Sequence, residues 1–250
     1  MSTKDFTANV ISATKVVPDG NFKDSKASGI WDINEALDLI KGGNWPNVAN
    51  INPAAFVDGL FQTHLYEGVQ LDDTDIVNGI DLSGEGGLVW IKDRSTTYSP
   101  YFYDTERGVT KQISSNQTNG EGADLDSITA FNSNGFTIGN DIELNTSGND
   151  YVSWTFRKQP KFFDIVTYTG NGTSGRTVSH NLGTTVGMLI VKRTDGSGTW
   201  KVFHRSLADT ANLSLNSNND AGASSGFFND TAPTSSVFTL GNSNDVNGNN

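Results

Sequence analysis

The 250-residue sequence contains no cysteine. Disulfides, thiol nucleophiles and Cys-ligated zinc are thereby excluded. Histidine is scarce, with only three in the chain. Positive charge is short as well: 17 Lys and Arg stand against 28 Asp and Glu, a formal charge of −11. Bulk attraction to nucleic-acid phosphate or to anionic lipid is unfavourable on such a surface. No apolar run approaches the roughly 20 residues that span a bilayer. Met1 to Gly20 lacks the basic and then apolar order of a secretion signal. The expectation is a chain made in the cytosol, with no membrane insertion and no nucleic-acid partner. Glycine and asparagine are the abundant residues, 27 of each. A neutral polar surface rich in turn formers suits a β scaffold.

Helical signals are confined to the first quarter of the chain. Asp32 as N-cap and Glu35 three residues later form a capping-box pattern ahead of Ile33, Ala36, Leu37 and Ile40, with Gly42-Gly43 as the stop. Asn52-Pro53 opens a second short helix through Phe56, Val57, Leu60 and Phe61. From about residue 63 the pattern turns to short strands. Gly87–Ile91 reads as a buried central strand. In Tyr151–Phe156 the side chains of Val152, Trp154 and Phe156 share one face. Asn-Gly at 78–79, 119–120, 134–135, 171–172 and 247–248, and Asp-Gly at 195–196, predict tight turns, some within longer loops.

A repeat of about 100 residues organises the rest. Tyr66-Glu67-Gly68 returns as Tyr168-Thr169-Gly170, and Gly87–Lys92 as Gly187–Lys192. Phe102-Tyr103 matches Phe203-His204, Thr110–Asn116 matches Thr210–Asn216, and Phe136–Asn140 matches Phe238–Asn242. The predicted fold is all-β: two tandem antiparallel β-sandwiches, jelly-roll-like, behind a short helical N-terminal segment. The expected boundaries are 1–62, 63–160 and 161–250. Copy two reaches Asn249-Asn250 where the counterpart of Tyr151–Phe156 would begin. That strand is expected from continuing polypeptide or from a neighbouring chain.

Several runs resemble a module family found in structural proteins of marine and cyanobacterial tailed phages. In copy one they are Asn78–Lys92, Tyr103–Gly108 and Phe131–Phe136; in copy two, Phe163–Thr173 and Val178–Gly183. The stretch Ala36–Tyr66, with Asn44-Trp45-Pro46, resembles the lead-in of such proteins. The resemblance implies a virion tail or tail-fibre protein, made in the host cytoplasm and associated with other virion proteins as a homo-oligomer, a trimer among the options. It supplies no catalytic residues. Residues 1–62 would dock or oligomerise, through Trp31, Ile33, Leu37, Ile40, Trp45, Phe56, Leu60 and Phe61.

Candidate chemistry outside that resemblance is thin. Carboxylates in Gly-bearing loops, Asp72, Asp73 and Asp75 with Asp124 and Asp126, are the ligand type calcium prefers, but neither run has EF-hand spacing. A solvated acidic loop is the plainer account, and no cofactor is otherwise expected. Tyr98 and Tyr101 beside Pro100 are the candidates for a host-surface glycan. They carry the alternative of a receptor-binding protein or adhesin. Trp200 and Phe203 could belong to such a platform or to a core face. A polysaccharide depolymerase would draw its two carboxylates from Glu67, Glu85, Glu106 and Glu121. Copy two offers Thr169 for Glu67 and, nearly, Leu207 for Glu106. Of the histidines His64, His180 and His204, the last two match Ile80 and Tyr103 across the repeat, so no shared His chemistry is expected and the chain is read as a non-enzyme.

Overall fold

Residues 57–249 are described by a computed structural model. Of the proposed docking residues, Trp31, Ile33, Leu37, Ile40, Trp45 and Phe56 lie outside them. The second predicted helix is described only at its end. Val57–Gly59 is a single 3-10 turn, and Phe61 already belongs to a strand. Gly59 is a poor helix residue, and the alternating side chains after it pair better in a ladder than on a helix.

Copy one builds nine strands: β1 (Phe61–Glu67), β2 (Thr74–Val77), β3 (Gly87–Asp93), β4 (Tyr101–Asp104), β5 (Lys111–Ser114), β6 (Gly122–Ala123), β7 (Ile128–Asn132), β8 (Gly135–Ile138) and β9 (Asp150–Arg157). All pair antiparallel, in a six-stranded sheet of order β1-β9-β3-β4-β5-β6 and a three-stranded sheet of order β2-β8-β7. Both sheets feed one core. Val89, Ile91, Tyr103 and Tyr151 come from the large sheet, and Ile76, Ile128, Phe136 and Ile138 from the small one. Two sheets that share one core make a β-sandwich-like arrangement. Copy two adds β10 (Arg176–Ser179), β11 (Met188–Val191), β12 (Lys201–His204), β13 (Ala211–Ser214), β14 (Gly222–Ala223) and β15 (Val237–Leu240). Its sheets are β11-β12-β13-β14 and β10-β15, packed around Val178, Val191, Phe203, Phe228, Phe238 and Leu240.

The repeat is written into the pairing register. Leu88 faces Asp104 across β3 and β4, and Met188 faces His204 across β11 and β12. Tyr101 faces Ser114 as Lys201 faces Ser214. Thr74–Val77 pairs with Gly135–Ile138 as Arg176–Ser179 pairs with Val237–Leu240. The offset is 100 within the large sheets and 102 within the small ones.

These registers correct three matches made from sequence. His204 takes the position of Asp104, with Phe203 matching Tyr103. His180 corresponds to Asn78, since its N–H donates to Ser236 O as that of Asn78 donates to Asn134 O. Ser206, rather than Leu207, is the counterpart of Glu106. A short identity such as Phe102-Tyr103 with Phe203-His204 aligns equally well one residue out, whereas a ladder cannot slip by one without turning every side chain over.

The described chain also contains helices that the strand-like pattern hid. Three one-turn helices, α1 (Ile142–Asn145), α2 (Ser225–Phe228) and α3 (Asn244–Asn247), sit at loop corners. Where copy one has β7, copy two has α2 followed by a loop through Pro233. Proline has no N–H to give a ladder, so no third strand forms there. Among the Asn-Gly pairs, only 134–135 lies at a two-residue hairpin, with Asn132 facing Gly135. Among the described residues, no helix is long and apolar enough to cross a membrane.

Candidate functional site

One device built on a buried polar residue recurs in both copies. In copy one, Asp141 caps α1 by accepting the Glu143 N–H, and the helix ends in Asn145, which is fully buried. The Asn145 side-chain amide donates to Leu71 O and Gly139 O at 2.8 Å each. Its carbonyl oxygen accepts the Val69 N–H at 2.8 Å. In copy two Ser243 caps α3, and Asn247 donates to Thr173 O at 2.9 Å and Gly241 O at 2.8 Å while accepting the Asn171 N–H at 3.0 Å. Tyr66 Oη donates to Leu144 O, and Tyr168 Oη donates to Val246 O. Each asparagine thus ties three stretches of backbone to one buried point. An unpaired buried backbone group is costly, so these side chains act as internal clamps.

A second device joins the copies. The outward face of the six-stranded sheet presents Phe102, Ile113, Leu88 and Trp90, and Trp200 with Leu215 of copy two pack onto it. Trp200 is 6% exposed, lies edge-on to Phe102 with centroids 5.2 Å apart, and donates its indole N–H to Ser114 O at 3.0 Å. Two turn pairs meet beside it. Glu121 N donates to Thr194 O, and a side chain at Gly120 would meet that same oxygen at 2.6 Å. Asn119-Gly120 and Asp195-Gly196 therefore serve a close approach of loops rather than hairpins. Trp200 and Phe203 are both buried, and neither lies open to a sugar.

An acidic corner surrounds α1. Asp141 is 8% exposed, and its second carboxylate oxygen has no hydrogen-bond partner. Burial, reinforced by Asp124, Glu143 and Asp126, pushes its pKa up to about 6, against the lowering effect of the Glu143 N–H. Tyr101 Oη donates to Glu143 at 3.1 Å, and burial raises its pKa too. Its ring packs against the first core, so of the two proposed glycan residues Tyr98, at 36% exposure, is the more open to solvent.

A family model, the domain of unknown function DUF7483, matches residues 58–250. The chain belongs to this family. No curated protein and no solved structure matches it.

The remaining sequence candidates take these places in the DUF7483 domain. Asp72 and Asp73 are exposed at the turn before β2, and Asp75 accepts the Thr137 hydroxyl at 2.6 Å. Asp124 accepts the Asp126 N–H at 2.9 Å. Among the described residues, no three acidic or histidine side chains converge as a metal site would require. Glu106 is ion-paired to Lys158, and Glu121 to Arg107 and Lys111. Glu67 and Glu85 are exposed. His180 accepts the Leu182 N–H on Nδ1, leaving Nε2–H for Thr234 O at 3.3 Å. Leu60 is buried, and Phe61 packs on Phe156 with centroids 4.8 Å apart, so both contribute to the domain itself.

The two clamp asparagines went unnoticed in the sequence. They were findable: each ends a four-residue run that begins three residues after a matched glycine, Gly139 or Gly241, at the offset of 102.

Proposed function

We propose that this chain is a structural component of a tailed-phage virion, a tail or tail-fibre protein whose DUF7483 domain serves as architecture. The carrying observation is the duplication. The same pleated unit is built twice, and the two clamp asparagines each spend their side chain on three backbone groups of their own copy. A reaction centre leaves polar groups poised for a substrate, whereas these groups hold loops in place. The resemblance of Asn78–Lys92 and Phe163–Thr173 to phage structural modules supplies the setting. The acidic, neutral-polar surface supports it, because such a surface suits assembly with other proteins better than attachment to nucleic acid. The segment that precedes the DUF7483 domain would dock the protein to its neighbours. The test is protein mass spectrometry of purified particles, with immunogold labelling to locate the chain. Stoichiometric presence on the tail is the expected result. Abundant protein in the lysate, with none in particles, contradicts the proposal.

A further inference from the structure

Asparagine is a chemically labile residue, and a glycine after it leaves the intervening peptide least shielded, because glycine has no side chain. The glycine nitrogen attacks Cγ of the asparagine, the side-chain nitrogen leaves as ammonia, and a succinimide ring remains. Water then opens the ring to aspartate or isoaspartate. The step needs a glycine N–H that no acceptor holds and an asparagine side chain free to swing over it. The chain carries five Asn-Gly pairs, all among the described residues.

The fold locks four of them. Asn78 is buried; its amide donates to the Thr155 hydroxyl at 2.8 Å, its side-chain oxygen accepts the Ile80 N–H, and Gly79 N donates to Asn134 O at 3.0 Å. Gly135, after Asn134, is buried and paired with Asn132 on one side and Val77 on the other. Gly172 N donates to Asn247 O at 2.7 Å, and the Asn171 side chain accepts the Thr173 N–H. Asn247 is the clamp of copy two, its side chain bonded to three backbone groups. Asn119 differs. Its side chain is exposed and donates to the equally exposed Gln117 at 3.2 Å. Among the described residues, the peptide joining Asn119 to Gly120 makes no hydrogen bond through its N–H or its C=O.

We infer that Asn119-Gly120 is a self-modification site, at which the protein converts its own asparagine to aspartate and isoaspartate with loss of ammonia. The pair lies in the seam between the two copies. Thr118 O accepts the Gly198 N–H at 2.8 Å just before it, and Glu121 N donates to Thr194 O at 2.7 Å just after it. Isoaspartate lengthens the main chain between these two anchors by one methylene. A side chain at Gly120 would already meet Gly196 N at 2.9 Å, so the facing turns have little room to absorb that length. Either product also adds a negative charge close in sequence to Glu121 and against the turn that carries Asp195. The reaction therefore loosens the seam and leaves the core of each copy intact.

The test ages the 250-residue protein in mildly alkaline heavy-oxygen water and maps its peptides by mass spectrometry, with fragmentation that tells isoaspartate from aspartate. Conversion at Asn119 should run about tenfold or more ahead of each other pair, since those must first break a hydrogen bond or leave a buried site. The product should carry a heavy oxygen from the water that opens the ring. In urea-unfolded protein the five pairs should react at similar rates, which separates protection by the fold from sequence. Asn119→Gln should keep the melting curve of the parent and stop conversion at this position. In aged parent, but not in aged Asn119→Gln, the amides of Glu121 and Gly198 should exchange faster with solvent. Conversion at Asn119 no faster than at the locked pairs of the folded protein overturns the inference, as does an Asn119 that stays intact. Unchanged exchange at Glu121 and Gly198 after conversion overturns the assigned effect on the seam.

Discussion

At the residue scale, the buried carboxyl and the two asparagines make separable predictions. Asp141 has a folded pKa of about 6, raised by burial above the ordinary carboxylate value. The folded protein therefore binds a proton more tightly than the unfolded chain does. Stability from this group is complete at low pH and is lost as pH rises from about 4 through about 6, by at most about 3 kcal/mol. Asp141→Asn keeps an oxygen to cap α1 and removes the charge. It should melt higher than the parent at pH 7 and match it near pH 4, as urea titrations at the two pH values would show. A variant less stable than the parent at pH 7 would mean that the ionised carboxylate is needed. Asn145→Ala removes three hydrogen bonds that this fully buried side chain makes to backbone and should cost about 3 kcal/mol, each lost bond carrying about 1 kcal/mol. Asn247→Ala should cost a similar amount. A loss below about 1 kcal/mol at both sites would contradict the clamp assignment.

At the element scale, legibility tracked how local the determining signal was. The unbroken apolar run Gly87–Ile91 marks β3, and that element is found as expected, with one face buried and the other, Leu88 and Trp90, half-buried. In β9 the sharing of a face by Val152, Trp154 and Phe156 is right. The opposite face, Tyr151, Ser153 and Thr155, is nevertheless the fully buried one. Serine and threonine do not read as core residues in a sequence. Here Thr155 is buried because Asn78 donates to its hydroxyl, a partner 77 residues away. The one-turn helices were illegible for a related reason. Four residues are too few to show a period, and their stability comes from caps and clamps made at long range. The histidine counterparts were misassigned because residue identity cannot fix a shift of one or two places, whereas ladder register can. In the acidic loops Asp124 accepts the Asp126 N–H, and Asp75 accepts the hydroxyl of Thr137, a partner 62 residues away.

At the scale of the whole molecule, Val57–Asn250 forms one compact unit, and the repeat alone did not say how its halves would be joined. Trp200 was ambiguous in the sequence between ligand platform and core. It is the anchor of the seam, with Phe102, Ile113 and Leu215 around it. Trp200→Ala should destabilise by about 3–5 kcal/mol, the range for deleting a large buried ring. It should also split thermal unfolding into two transitions, since each copy retains its own core. A single unaltered transition in calorimetry would show that the seam does not couple the copies.

The central claim is that one pleated unit is built twice to one register. Residue-resolved amide hydrogen exchange tests it most directly. Slow exchange should recur in β12 and β13 at the counterparts of the slow sites in β4 and β5. Protection patterns in those strands that do not correspond at the offset of 100 would contradict the account.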